Sequence, residues 1–252
     1  PQVDRIQKDI DQKNAAISGY ALVASELDKF KSFTDSLSGS SAFNVSSDTS
    51  AIGISVSNQA DAKPFNAKIS VSSLAQSQTL EFAGFSSKTD PINTGSITLD
   101  FGSWSGNTFT VNSAKSANVI AVTSSNNTLT GLAESLSALD GVNATVTDKG
   151  DGTFSLIVNS DTGEKNALRM TVTEESSDPG LSAFDTSSNN TSKQVVAASN
   201  ASININGVTV TRTTNTVSDL IDGYQFKFNA TTSSAASISS ATDQTVAYEK
   251  IK

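Results

Sequence analysis

The sequence predicts an α+β protein that is mainly β. A long N-terminal helix and a truncated C-terminal helix form a coiled-coil-like leg, and two β-rich head domains follow, one inserted in the other. Three observations carry this expectation. An apolar stripe with heptad rhythm opens the chain. Alternating segments rich in Val, Ile, Thr and Phe fill its middle. Two polar stretches, near 86–94 and 174–194, bracket a self-contained run of strands with one helix.

The opening stripe takes Val3, Ile6, Ile10, Ile17, Tyr20, Ala24 and Leu27 in steps of three and four, with Lys13 the polar exception. Phe30, Phe33 and Leu37 continue it one residue out of phase, so the seam shifts there. A continuous helix over 2–37 is roughly 50 Å long at about 1.5 Å per residue. Its stripe is too narrow for burial on all sides and needs a partner, either its own domain or a coiled-coil neighbour. Each Ile or Leu buried there contributes about 1.5–3 kcal/mol. Asp243, a residue suited to an N-cap, precedes Val246 and Ile251 and marks the second helix. Ile6, Ile10, Ile17, Tyr20, Leu27, Phe30 and Phe33 are the candidate helix-packing and oligomer contacts. The chain starts at Pro1 inside one helical pattern and stops at Lys252 inside another, so it reads as a fragment trimmed at both ends.

The strands come next. Residues 51–57, 65–75, 95–101, 107–113, 141–147, 154–160 and 166–173 read as β. Trp104 and Gly106 fall in a loop between two of them, where Trp104 is either a ligand contact on an exposed tip or, the favoured reading, a packed loop anchor. Leu129, Leu132, Ala133, Leu136 and Leu139 follow the helical period; Asn127 or Thr128 caps that helix and Gly141 ends it. Residues 174–194 read as a long polar loop. Residues 201–212 form a hairpin with Asn206-Gly207 as its turn, and 222–232 close the β section. The expected division is a helical leg of 1–45 plus 239–252, a discontinuous β domain of 46–85 plus 195–238, and an inserted outer domain of 86–194.

Composition excludes much chemistry. The 252 residues include no Cys and no His, which rules out disulfides, thiolate nucleophiles, zinc fingers and histidine bases. With 25 acidic and 17 basic residues the net charge is −8, and no basic cluster offers a nucleic-acid surface. No apolar run is long enough to span a membrane. Asp148-Lys149-Gly150-Asp151-Gly152 joins two alternating runs. It has two carboxylates where a calcium loop needs about six oxygen ligands, so it is a hairpin tip. Glu174-Glu175 and Asp61 sit in polar surroundings that do not raise a pKa. Gly102 to Gly106 lacks the Lys and helix of a phosphate loop. The expectation is a protein with no catalytic residues, no cofactor and no metal.

Two segments carry a resemblance. "FNAKISVSSLAQSQTLEFAGF" (65–85) resembles the core motif of the flagellar hook-associated protein 2 family, the filament-capping proteins, at Val71, Leu74, Ala75 and Gln78. "ASININGVTVTRTTNTVSDLIDGYQFKF" (201–228) resembles its second motif at Ile205, Asn206, Gly207, Asn215, Val217, Asp219, Ile221 and Gly223. The helical opening and the helix start at Asp243 match in character. Two departures stand out: Asn200 replaces the usual Asp, and Tyr224-Gln225 an aliphatic-Thr pair. Residues 132–163 also resemble a repeat shared with flagellins.

The resemblance implies a homo-oligomeric ring, pentamer or hexamer, at the distal tip of an extracellular filament, reached through the flagellar secretion system. Exported flagellin would fold beneath it and be inserted. Flagellin is the implied partner, with host-surface glycans or mucin a further one; nucleic acid and membrane are not. A flagellin-type filament or hook-filament junction subunit, and a bacterial surface adhesin, stay open as alternatives.

Overall fold

A computed structural model describes residues 5, 8, 13, 19–31, 43–177, 179–188 and 190–243. Residues 19–31 form helix α1, and every one of them is exposed; Tyr20 and Leu27 show 75% and 65% of their surface. Phe30 is as exposed, so these three find no burial against the described part of the chain. Ile6, Ile10, Ile17 and Phe33, and the expected helix after Asp243, lie outside the described residues.

The β body has two cores. In the first, strand β3 (Phe65–Ser73) is central. Its alternation puts Ala67, Ile69 and Val71 inside and Lys68 outside. Around it, β1 (Phe43–Ser47), β12 (Ala201–Ile205), β13 (Val208–Arg212) and β16 (Ala236–Thr242) complete a five-stranded antiparallel sheet in the order β1-β16-β3-β12-β13. A three-stranded sheet, β14 (Thr216–Val217), β15 (Tyr224–Phe228) and β2 (Ile52–Val56), supplies the other wall. Tyr224, Phe226 and Phe228 alternate inward from β15. The Phe65 ring meets Tyr224 edge-on at 4.9 Å, and the Tyr224 hydroxyl donates to the Lys63 carbonyl (3.0 Å) and bonds Ser240 Oγ (2.6 Å). A buried tyrosine thus keeps its polar tip satisfied.

The second core lies between two four-stranded sheets. One runs β11-β4-β9-β8, from β4 (Ser77–Phe85), β8 (Val142–Asp148), β9 (Phe154–Thr162) and β11 (Gln194–Val196). The other is built on β5 (Gly95–Ser105), with β10 (Ala167–Glu174) on one edge and β6 (Thr108–Val111) and β7 (Asn118–Val122) sharing the other. Helix α2 (Leu129–Ser137) packs on β8 and buries Leu129, Leu132, Ala133 and Leu136; Thr128 caps it by accepting from the Gly131 amide at 3.0 Å.

Several expectations need correction. Residues 239–242 and 43–45, assigned to the leg, are strand, since β16 and β1 close the five-stranded sheet. The β section therefore runs past 232. Residues 77–85 belong with the second core, because Leu80 and Phe82 pack there, and so do 194–196 as the edge strand β11. Trp104 is not in a loop. It lies on β5, tilted against Phe109 at 4.9 Å, with its indole N–H donating to the Leu168 carbonyl at 3.0 Å. The 174–194 stretch is no plain polar loop: a 3₁₀ turn, Leu181–Phe184, drives Leu181 and Phe184 fully into the core.

Candidate functional site: the crossing between the two β units

The chain leaves the first unit after β3 and returns before β12. Both crossings occur side by side. Gln76 and Ser199 exchange backbone bonds, amide to carbonyl, at 2.9 and 3.1 Å. The Gly163 amide also donates to the Gln76 carbonyl at 3.1 Å, tying the end of β9 to the same point.

Of the residues of the two sequence motifs, Ala75, Asn215 and Gln78 meet at this crossing, and the others lie elsewhere in the first unit. Val71 is buried in β3, and Leu74 packs half-buried on the first core. Ala75 is held by Asn215: its amide donates to Asn215 Oδ1 (2.7 Å) and its carbonyl accepts from Nδ2 (2.9 Å). One asparagine so replaces a strand neighbour for a residue between strands. Gln78 is buried in the second unit. Its Oε1 accepts from the Leu168 amide at 2.6 Å, its Nε2 donates to Gln194 Oε1 at 2.7 Å, and Asn190 Nδ2 donates to that same oxygen at 2.8 Å. An isolated amide at such depth would cost stability; with its side-chain oxygen and nitrogen both bonded it joins β4, β10 and β11.

The second motif supports the first unit. Ile205 packs half-buried at the end of β12. Asn206 and Gly207 hold positive φ, 50° and 92°, as a two-residue hairpin turn requires. Gly223, at φ 83°, brings its α-carbon against the Ala62 backbone, where a Cβ would come within 2.4 Å of nitrogen. Asp219 is exposed and pairs with Arg212 at 2.9 Å. It does not reach the crossing.

Sequence reasoning missed the outer ties. Asn200, noted only as a departure, accepts from the Glu164 amide at 3.0 Å and donates to its carboxylate at 3.3 Å. Thr162 Oγ1 donates to the Thr213 carbonyl at 2.7 Å. These are polar residues at strand ends and in the segments beside them, and local pattern carries no signal of a long-range partner.

The groups that might have held chemistry are otherwise employed. Asp148 Oδ1 and Asp151 Oδ1 accept from the amides of Gly150 (2.8 Å) and Thr153 (2.9 Å) within the hairpin tip. Lys149 turns away to Glu81 at 2.7 Å. The Lys149 and Ser155 hydrogen bonds hold Glu81 below the usual carboxylate range, and Glu81 in turn raises Lys149. Among the described residues no group of three acidic side chains is placed to hold a metal. A hollow of about 350 Å³ beside 231–236 has Asp48 as its one carboxylate, already bound to the Ser237 amide at 2.9 Å. No helix of the described residues is long and apolar enough to cross a membrane.

Comparison with known proteins decides the family. Residues 1–78 match the model of the flagellar hook-associated protein 2 N-terminus, and 198–252 that of its C-terminus. The chain belongs to the flagellar hook-associated protein 2 family. The two matches stop and resume within two residues of the Gln76–Ser199 crossing, and the second β unit lies between them. Flagellar hook-associated protein 2 of Escherichia coli O157:H7 is 30% identical over 81% of this chain and 43% of its own length; that of strain K12 is 30% identical with the same coverage. The chain thus spans under half the length of these relatives. A crystal structure of the flagellar cap protein FliD from Escherichia coli that holds two domains is matched over its whole length and 81% of this chain, with a TM-score of 0.68 and 28% identity. A three-domain structure of that protein is matched over 93% of this chain and 65% of its own length, at TM-score 0.75 and 26% identity. A two-domain FliD structure from Serratia marcescens, 27% identical, covers 73% of this chain and 95% of its own, at TM-score 0.59.

Proposed function

We propose that this chain is the β-rich head, with part of the leg, of a protein that caps the distal tip of a bacterial flagellar filament. A small ring of copies there shelters exported flagellin while it folds and is inserted. The observation that carries the reading is the end-to-end match to the two-domain cap structure together with family matches on both sides of the crossing. The geometry supports assembly work without covalent chemistry. The crossing is a set of hydrogen-bonded struts, and the acidic side chains of the β8–β9 hairpin tip and Glu81 serve a turn and an ion pair. A helix that shows Tyr20, Leu27 and Phe30 to solvent suits a leg that packs on neighbours, in a ring of five or six. Flagellin is the proposed partner and the filament tip, outside the cell, the proposed location; host-surface glycans or mucin are a further proposed contact. Antibody raised against this chain and gold-labelled on whole bacteria tests the reading. Gold confined to filament tips is the expected result, and gold along filaments or on the cell body would overturn it. Native mass spectrometry of the full-length protein then counts the subunits.

A further inference from the structure

Asn206-Gly207 is the sole Asn-Gly pair in the sequence. Such a pair is chemically labile in an open chain. The glycine amide nitrogen loses its proton and attacks the asparagine Cγ, and ammonia leaves. The succinimide that forms is then opened by water to an aspartyl or isoaspartyl residue. The attack needs a nitrogen that can shed its proton and a Cγ that can swing onto it. Here both are restrained. The Gly207 N–H donates to Asn204 Oδ1 at 2.9 Å. Asn206 Oδ1 accepts from the Lys68 amide at 2.8 Å, while the Asn206 N–H donates to the Lys68 carbonyl at 2.8 Å. The side chain is therefore laid along β3 as a continuation of the β3–β12 ladder, which ends at Ile205 opposite Ile69. Positive φ at both turn residues fixes the arrangement.

We infer that Asn206 is a latent deamidation site, shielded while the hairpin is docked on β3 and reactive when it opens. The isoaspartyl product lengthens the main chain by one methylene and removes the side-chain amide. Neither the two-residue turn nor the pair of Lys68 bonds can then re-form. Time spent open is written irreversibly into the first unit.

The test follows the mass gain at Asn206 by peptide mass spectrometry at mildly alkaline pH. It compares the folded chain, its Asn204→Ala and Asn204→Asp variants, and a synthetic peptide of residues 201–212, with Asn112 in the second unit as internal reference. The folded chain should convert at least about tenfold more slowly than the peptide, because reaction waits on local opening. Asn204→Ala should speed Asn206 without speeding Asn112, whereas Asn204→Asp, which keeps an acceptor for Gly207, should stay near the parent. A folded chain that keeps pace with the peptide overturns the inference. So does an Asn204→Asp variant as fast as Asn204→Ala; this comparison still decides if Asn204→Ala unfolds and Asn112 accelerates with it.

Discussion

The two β units enclose cores of similar kind by different means. The first closes with hairpins and short turns whose residues are dictated by backbone geometry: Asn206-Gly207 at one tip, Gly223 against Ala62 at another. The second closes with long excursions that side chains must pin. Glu174 accepts from the amides of Gly180 and Ser182, and Asp185 from those of Val172 and Ser187, so that Leu181 and Phe184 stay seated. Hydrogen bonds from Ser182 and Gly180 lower the Glu174 pKa. Burial raises that of Asp185, but bonds from Ser187 and Val172 outweigh it and leave the group below its usual range. The difference teaches that the tips of the first unit are set by backbone geometry at its turns, whereas the excursion after β10 in the second depends on carboxylates that pin it to the adjoining strand.

The comparison can be broken most sharply at Phe184. This ring is fully buried, stacked on Phe85 at 5.4 Å and tilted on Phe82 at 5.3 Å. Phe184→Ala should cost the second unit about 3–5 kcal/mol. Trp104, the single tryptophan, lies in that unit, so its fluorescence should report unfolding at lower urea while the first unit holds. A loss shared equally by both units would show that they are one cooperative body.

Gln78→Leu comes next. It leaves the Leu168 amide without its partner and Gln194 Oε1 with Asn190 alone, and a buried group stranded as the amide is costs about 1–3 kcal/mol. The effect should again appear in Trp104 fluorescence; an unchanged midpoint would mean that the buried amide does not brace the sheets. A smaller loss, about 1–2 kcal/mol, is expected for Asn215→Ala, which releases Ala75 at the crossing. Its signature is separation of two melting transitions in calorimetry; a single transition moved as a whole would place the coupling elsewhere.

Acid gives the gentlest test. Carboxylates with lowered folded pKa stabilise fully above their unfolded pKa, and that contribution is lost as pH falls through the folded values. Glu81, Glu174 and Asp185 all lie in the second unit, so titration below the ordinary carboxylate range should loosen it before the first. Glu174→Gln keeps an acceptor for Gly180 and Ser182 and should flatten the acid limb of Trp104 fluorescence; an unaltered limb would assign the acid response to other groups.

What could be read in the sequence follows the same division. The 201–212 hairpin, the α2 helix with its Thr128 cap and the Asp-Gly tip at 148–152 announce themselves, because each is set by near neighbours. Strand β16, "ASISSAT", carries one large apolar residue, Ile238, and becomes strand only because β1 and β3 flank it. Leu181 and Phe184 look stray among polar residues until the sheets beneath them are seen. At the crossing, the motif residues Ala75, Gln78 and Asn215 were legible as a pattern. That Asn215 holds Ala75 across 140 residues was not, since nothing in their spacing encodes it.

The adjacency of Gln76 and Ser199 has a consequence for modularity. Antiparallel partners stand about 5 Å apart between Cα atoms, a gap that a residue or two can span. The whole segment 77–198 hangs from neighbouring hinge posts, and joining the posts leaves β3 and β12 in their places. The position behaves as a socket. One cassette can be unplugged and another of unrelated sequence fitted, provided that its own ends meet, while the host sheet registers no change in length. Variation in size and surface chemistry can therefore accumulate in the cassette without retuning the rest of the machine.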